Sequence, residues 1–258
     1  MYIGTDSEHA IYHPQLGLQS AIGRIPGTKA NPSPLPNGGA IQVDNVLVEW
    51  NSPVAESEDD FVRGIQATLS DVRQAVGLEN QILFESSYNY PMDQLKHKKA
   101  WEIGCESDWN AWEERVNDKV CFPPGSTIRT AAAHIHTSPW DDISKVFKAV
   151  KFSDLYLATV SLFLDMDRMR RELYGRAGAM RFKTYPGEVT GMEYRVLGSF
   201  WVKDEKYIRW VYRTMKMIYD NIDYLNEKDL PDNLQEVINT YNLQQAEKII
   251  KDYEIYVP

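Results

Sequence analysis

The sequence predicts an α+β fold, and three observations carry that expectation. The chain has 258 residues, enough for one large domain with a sizeable core or for two small ones. Several short segments alternate apolar and polar side chains, as half-buried strands do. Longer segments repeat apolar residues every three or four positions behind capping signals, as amphipathic helices do.

Residues 2–8 read as a strand whose Asp6 and Glu8 share a face. Residues 24–40 hold Pro26, Pro32, Pro34 and Pro36 with Gly27, Gly38 and Gly39, which predicts a long loop, either a ligand cover or a plain excursion. Residues 40–50 read as one strand. On it Asn45 and Glu49 take one face, with Asn51 beyond, and Gln42 and Asp44 take the other. One ion then cannot use Asp44 and Glu49 together without a bulge. Ser57 with Asp60 announces a helix striped by Phe61, Ile65, Leu69, Val72 and Val76 and stopped by Gly77. Residues 81–86 and 128–138 read as further strands, the second carrying three alanines before His134 and His136. Ser153 is expected to cap a long helix that reaches Tyr174 and stops at Gly175. Beyond Lys203 the tail reads as helical, with further starts at Asp232 and Asn242. The expected organisation is one domain over residues 1–202 and a helical extension over 203–258 packed on it.

A net charge of -9 and a pI of about 5.1 argue against strong nonspecific nucleic-acid binding, which needs many Lys and Arg contacts to phosphate. Cys105 and Cys121 show no metal-type spacing and are expected to be reduced thiols of a cytoplasmic protein, Cys105 as a packing residue. No basic-then-apolar leader follows Met1, and the apolar residues 155–164 are too few to span a membrane. Serine-hydrolase elbow, Walker A and dinucleotide glycine motifs are absent from the sequence.

The chemistry lies in polar residues set inside apolar strands: Asp6, Glu8, Asn45, Glu49, His134, His136, Arg181, Glu193 and Arg195. Buried charges need partners. A divalent metal with a bound polyphosphate partners all of them, and carboxylates with one histidine suit Mg2+ or Mn2+. If extended, Glu193 and Arg195 share a face; a structural ion pair and a metal-plus-phosphate pairing both fit that spacing. His134 and His136 share a face too, and the alanines before them admit either a ligand or a packed helix.

The order of these motifs resembles that of the glutamine synthetase-like carboxylate–amine ligases, and within them the amidoligases of the phage COOH–NH2 ligase type. The phrases that carry it are Gly4-Thr-Asp-Ser-Glu8, Gln42-Val-Asp-Asn-Val-Leu-Val-Glu49, Gly104-Cys-Glu-Ser-Asp-Trp109, Arg129-Thr-Ala-Ala-Ala-His-Ile-His136, Tyr174-Gly-Arg-Ala-Gly178 and Met192-Glu-Tyr-Arg195, all within residues 1–202. The resemblance implies a curved, mainly antiparallel sheet with helices on its outer face. It implies ATP and Mg2+ or Mn2+ as cofactors, and amide formation through an acyl phosphate. By position it implies Asp6, Glu8, Glu49, His134 and Glu193 as metal ligands. Arg195, Arg181 and Glu193 would be catalytic, and Arg181, Arg176, His136 and Arg129 would face the nucleotide. Arg171 and Asn45 would face the substrate. Small-molecule or peptide carboxylates and amines are the implied partners, in the cytoplasm (the host's, if phage-encoded), and the fold admits varied assemblies. A metal-dependent hydrolase and a non-catalytic binding protein on the same fold are the alternatives. Two departures stand out: Ser107 replaces a common proline, and Ala132 and Ala133 replace common glycines, where methyl groups would narrow a nucleotide pocket.

Overall fold

The computed structural model describes residues 1–102, 107–118, 123 and 125–258; the expectations for Cys105 and Cys121 lie outside them. In chain order the strands are β1 (Tyr2–His9), β2 (Ile11–His13), β3 (Gly17–Gln19), β4 (Ser33–Pro34), β5 (Ala40–Asp44), β6 (Leu47–Asn51), β7 (Gln81–Ile82), β8 (Ser87–Asn89), β9 (Trp109–Asn110), β10 (Arg115–Val116), β11 (Ile128–Thr130), β12 (Ala133–Ser138), β13 (Ala179–Tyr185) and β14 (Val189–Tyr194). The helices are α1 (Glu58–Val76), α2 (Ile143–Ser153), α3 (Thr159–Leu164), α4 (Met169–Leu173), α5 (Glu205–Asn221), α6 (Leu234–Asn239) and α7 (Leu243–Asp252), with a π segment, Asp154–Ala158, between α2 and α3.

The architecture is α+β. Among the described residues, nine strands form one sheet in the order β10-β9-β13-β14-β12-β1-β6-β5-β4, and the neighbouring strands run antiparallel. Directly opposed residues of antiparallel strands point to the same face. One row pairs Gln42 with Glu49 and Glu49 with Glu8; the next pairs Asn51 with Asp6 and Asp6 with His134. A third runs Gly4, His136, Glu193, Arg181. The polar residues singled out on five strands therefore share one face.

The alternate residues turn to the other face and build the core. Ile3, Trp50, Ile135, Met180, Met192 and Tyr194 are buried there. The α1 stripe, α2, α5 and the turn Ser199–Lys203 cover that side, with Phe61 against Trp201 at 6.0 Å and the Trp201 indole N–H donating to the Ala133 carbonyl. Among the described residues no helix is long and apolar enough to cross a membrane. In the tail, α5 packs on α1 and α2, and α7 packs on α3.

Five local expectations are corrected. Residues 40–50 are a hairpin rather than one strand. Asn45 turns the chain with φ 54°, and Asp44 pairs with Leu47. The turn reverses the parity, so Gln42, Asp44 and Glu49 share a face. Residues 128–138 split at Ala131 and Ala132: β11 pairs with β8 in a separate small sheet, and only β12 joins the large one. Residues 81–86 yield only the two-residue β7. The long helix begins earlier, at Asp142, whose side chain caps the Ser144 amide, while Ser153 lies inside and bonds back to the Ala149 carbonyl. That helix also breaks between Leu164 and Met169. In the tail, the Asn242 cap accepts from the Gln245 amide, whereas α6 starts after Asn233 without a side-chain cap.

Candidate functional site

At the centre of the sheet face, Asp6 lies between two imidazoles. Its Oδ1 accepts from His134 Nδ1 at 2.7 Å, and its Oδ2 is 3.2 Å from His136 Nε2. Burial works to raise the Asp6 pKa, but His134 and His136 hold the carboxyl well below its ordinary range. His134 goes the other way: burial first, then the Arg195 charge, keep it neutral at physiological pH. Its Nδ1 is also 3.1 Å from Arg195 Nη1; one ring nitrogen cannot donate and accept at once, and the shorter contact to Asp6 fixes the proton on Nδ1.

Tyr185 orients the second imidazole through a 2.8 Å hydrogen bond between its hydroxyl and His136 Nδ1. The ring crosses over Gly191 to get there; a Cβ at Gly191 would stand 2.2 Å from it. With Nδ1 held by the tyrosine hydroxyl, the other ring nitrogen, Nε2, faces Asp6 and Glu193, and a partner on the far nitrogen is how histidines are oriented toward metals. One donor atom each from Asp6, His136 and Glu193 lies within 4.8 Å of the other two. His136 Nε2 and Glu193 Oε2 are buried and take no hydrogen bond. This donor set of carboxylates and one imidazole fits Mg2+ or Mn2+. The cluster places His136 among the candidate ligands, while His134, expected as a ligand, donates to Asp6.

A second oxygen cluster lies beside the first. Glu49 stands between Gln42 and Glu8, and Glu49 Oε2 and Gln42 Oε1 are buried without hydrogen bonds. Burial, then Asp6 and Asp44, push the Glu49 carboxyl up to about 7. Burial and the neighbouring Asp44 and Glu49 raise Glu8 well above its ordinary value. Such crowding is what a cation relieves. The hairpin turn is what adds Asp44 and Gln42 to the set.

The linkage has a definite sign. Glu49 is raised from 4.5 to about 7, so its contribution to stability is full below pH 4.5 and is lost as pH rises through 7. The loss amounts to about 3 kcal/mol. A bound cation removes it. Mn2+ is therefore expected to raise the melting temperature more at pH 8 than at pH 6; thermal melts at both values test this, and an equal or reversed effect refutes it.

The cations gather at the β13–β14 side. Arg195 pairs with Glu193, and its Nε is 2.9 Å from Asp108 Oδ1. Arg181 Nε is 3.2 Å from the same oxygen, and Lys183 Nζ is 2.6 Å from Glu193 Oε2. Burial works to raise Glu193, but Arg195 above all holds it down to about 2. Sequence reasoning missed Asp108 and Lys183. Asp108 stood in a phrase quoted for the resemblance, and Lys183 shares the alternation of Arg181 on one strand.

Of the remaining residues expected at the site, Asn45 and Arg129 line the smaller cavity at the Arg195 end. Arg129 is buried and donates to the Ala100, Ser126 and Ile128 carbonyls and to Asn45 Oδ1, so it binds loops together. Asn45 is the hairpin turn, and its amide donates to the Glu102 carbonyl. Arg171 is buried away from this face and donates to the Gly175 carbonyl and Ser161 Oγ. Arg176 is exposed and donates to the Arg171 carbonyl. Arg170, not Arg171, reaches the cavity beside the site, with its donors on the Ala131, Arg195 and Val196 carbonyls. Of the two departing alanines, Ala133 is in the helix-side core, and the Ala132 amide donates to Glu8 Oε2 at 3.0 Å.

Cavities flank the ion cluster on both sides. One of about 400 Å3 lies at the His136 end, lined by Tyr2, Val54, Tyr185, Pro186 and Val189, with no Asp, Glu, Lys or Arg in its wall. Another, of about 60 Å3, lies at the Arg195 end among Glu8, Asp44, Ala132 and Arg170.

No family model and no curated protein matches this chain. Among solved structures, a bifunctional glutathione synthetase from Pasteurella multocida aligns with 98% of the chain and 49% of its own, at 12% identity and a TM-score of 0.43. A novel glutamine synthase homolog aligns with 97% of this chain and 62% of its own, at 13% identity and a TM-score of 0.41. The chain spans less than two thirds of either neighbour. Likeness at these scores assigns neither a fold family nor a reaction.

Proposed function

We propose that this protein is an ATP-dependent carboxylate–amine ligase on a glutamine synthetase-like sheet. One observation carries the reading: acids, imidazoles and guanidiniums stand in adjacent rows on one sheet face, between an uncharged cavity and a charged one. The uncharged cavity suits a nucleoside. The rows suit its polyphosphate, and the charged cavity suits the acceptor.

The chemistry follows from those parts. A carboxylate resists attack by an amine because its leaving group would be oxide, and phosphorylation supplies a better one. In such a transfer the protein mainly positions groups and neutralises charge. Asp6, His136 and Glu193 would hold one divalent ion, and Glu8, Glu49 and Gln42 a second. Bound there, the ions would neutralise phosphate charge. Arg195 and Arg181 direct planar donors at the transferring group, with the Asp108 carboxylate drawing both guanidiniums to one place by charge. Neutral His134 keeps Asp6 in place between the imidazoles.

Calorimetry with Mg2+–ATP and Mn2+–ATP tests the reading; no binding under any condition sinks it. ADP formation with and without candidate carboxylates separates a ligase from a hydrolase, which would release product without consuming ATP. Arg195→Lys keeps the charge and loses the planar fork. It is expected to keep nucleotide binding and to lose roughly 10²–10³-fold in turnover. Near-normal turnover in that variant would return Glu193 and Arg195 to scaffolding.

A further inference from the structure

Lys183 sits on the ion face two residues after Arg181. Its ammonium is 2.6 Å from Glu193 Oε2, and its side chain is 34% exposed where that of Glu193 is 1% exposed. A long stem thus reaches from the solvent edge to a buried carboxylate.

Two details make this contact replaceable. Glu193 has Arg195 against it and Arg181 Nη1 at 3.9 Å, so its charge is balanced without the lysine. And Oε2 takes no hydrogen bond despite the short separation. Proximity without direction leaves only Coulomb attraction, which water screens at a partly exposed ammonium. The same carboxylate is also one corner of the Asp6–His136–Glu193 cluster. An ammonium and a divalent ion cannot both sit on it without repelling each other.

We infer that Lys183 competes internally with the divalent cation for Glu193, and that it becomes a polyphosphate ligand once displaced. It gives up the carboxylate to the ion and turns its ammonium onto a phosphate oxygen of the nucleotide. The inference rests on the cation–polyphosphate reading of this face. Its signature is a pair of opposite signs: removing the ammonium strengthens binding of the ion alone and weakens binding of the nucleotide. A lysine that only props the sheet would move neither, and a permanent phosphate ligand would move only the second.

The test is calorimetry on the full chain, wild type against Lys183→Met, which keeps the apolar stem. Mn2+ is titrated alone, then a non-hydrolysable ATP analogue at saturating Mn2+. The variant is expected to bind Mn2+ alone about fivefold tighter and the analogue about tenfold weaker. Lys183→Gln is expected to repeat both signs, and melting curves of both variants confirm folding. Unchanged or weaker Mn2+ binding overturns the inference, and so does unchanged analogue binding. A wild type that binds Mn2+ normally with a variant that does not differ overturns this inference alone. If neither protein binds Mn2+, the metal reading of the face falls too.

Discussion

Glu193→Ala is expected to unfold this protein about 10 °C earlier and to remove tight divalent-cation binding. Glu193 is 1% exposed and stands among Arg195, Lys183, Arg181 and His134. Taking away one partner of a buried pair leaves the other charge uncompensated, at about 3–5 kcal/mol. Asp108, at 2.9 Å from Arg195 Nε, remains, so the lower end of that range applies. Glu193→Gln isolates the charge from the volume. Glu193 is depressed from 4.5 to about 2, so its stabilising contribution is present above pH 4.5 and lost as pH falls through 2. The stability deficit of the Gln variant should therefore be constant from pH 8 to about pH 5 and shrink below that. Melting curves across this range decide it. A deficit that grows in acid would show that the carboxylate is neutral in the folded protein.

The sequence was most legible where period and charge coincide. Asp6 and Glu8 on β1, His134 and His136 on β12, and Glu193 on β14 each kept the face that alternation assigned, because a strand's side chains cannot choose otherwise once its register is set. The hairpin at Asn45 and Val46 was not legible. The segment lacks glycine, and its apolar residues continue through the turn, so the face of Glu49 relative to Asp44 came out inverted. The arginines were ambiguous in sequence for a different reason. Arg129 and Arg171 look like phosphate or carboxylate binders in sequence, but a guanidinium is also the one side chain that can satisfy several carbonyls at once. Only three-dimensional partners separate those uses. The Ser153–Asp154 pair reads locally as a helix start, and nothing in the local pattern reveals that an earlier helix runs through it as a π segment.

Asp154 is where that missed feature has its largest consequence, and Asp154→Ala is expected to cost about 3–5 kcal/mol. The carboxylate is fully buried. Its Oδ2 accepts from the Trp112 indole N–H and the Gly178 amide, each at 2.7 Å, and its Oδ1 accepts from the Tyr194 hydroxyl at 2.8 Å. Gly178 has φ +81°, and a Cβ there would meet Asn110 Oδ1 at 2.6 Å, so the strands can approach the carboxylate only through glycine. The three donors adjoin β9, β13 and β14, which carry Arg181 and Glu193 on the opposite face, with Asp108 just before β9 and Arg195 just after β14. One acid thus ties the back of β9, β13 and β14 together. Burial pushes its pKa up to about 7 against these three hydrogen bonds and the Arg171 charge. Asparagine keeps the size and an oxygen for the two N–H donors, and the tyrosine hydroxyl can rotate to accept. Asp154→Asn should therefore lose about 1 kcal/mol or less, while Asp154→Ala orphans all three donors. Urea denaturation of both variants measures the difference. Equal losses would mean that packing, not hydrogen bonding, holds these strands in register behind the charged face.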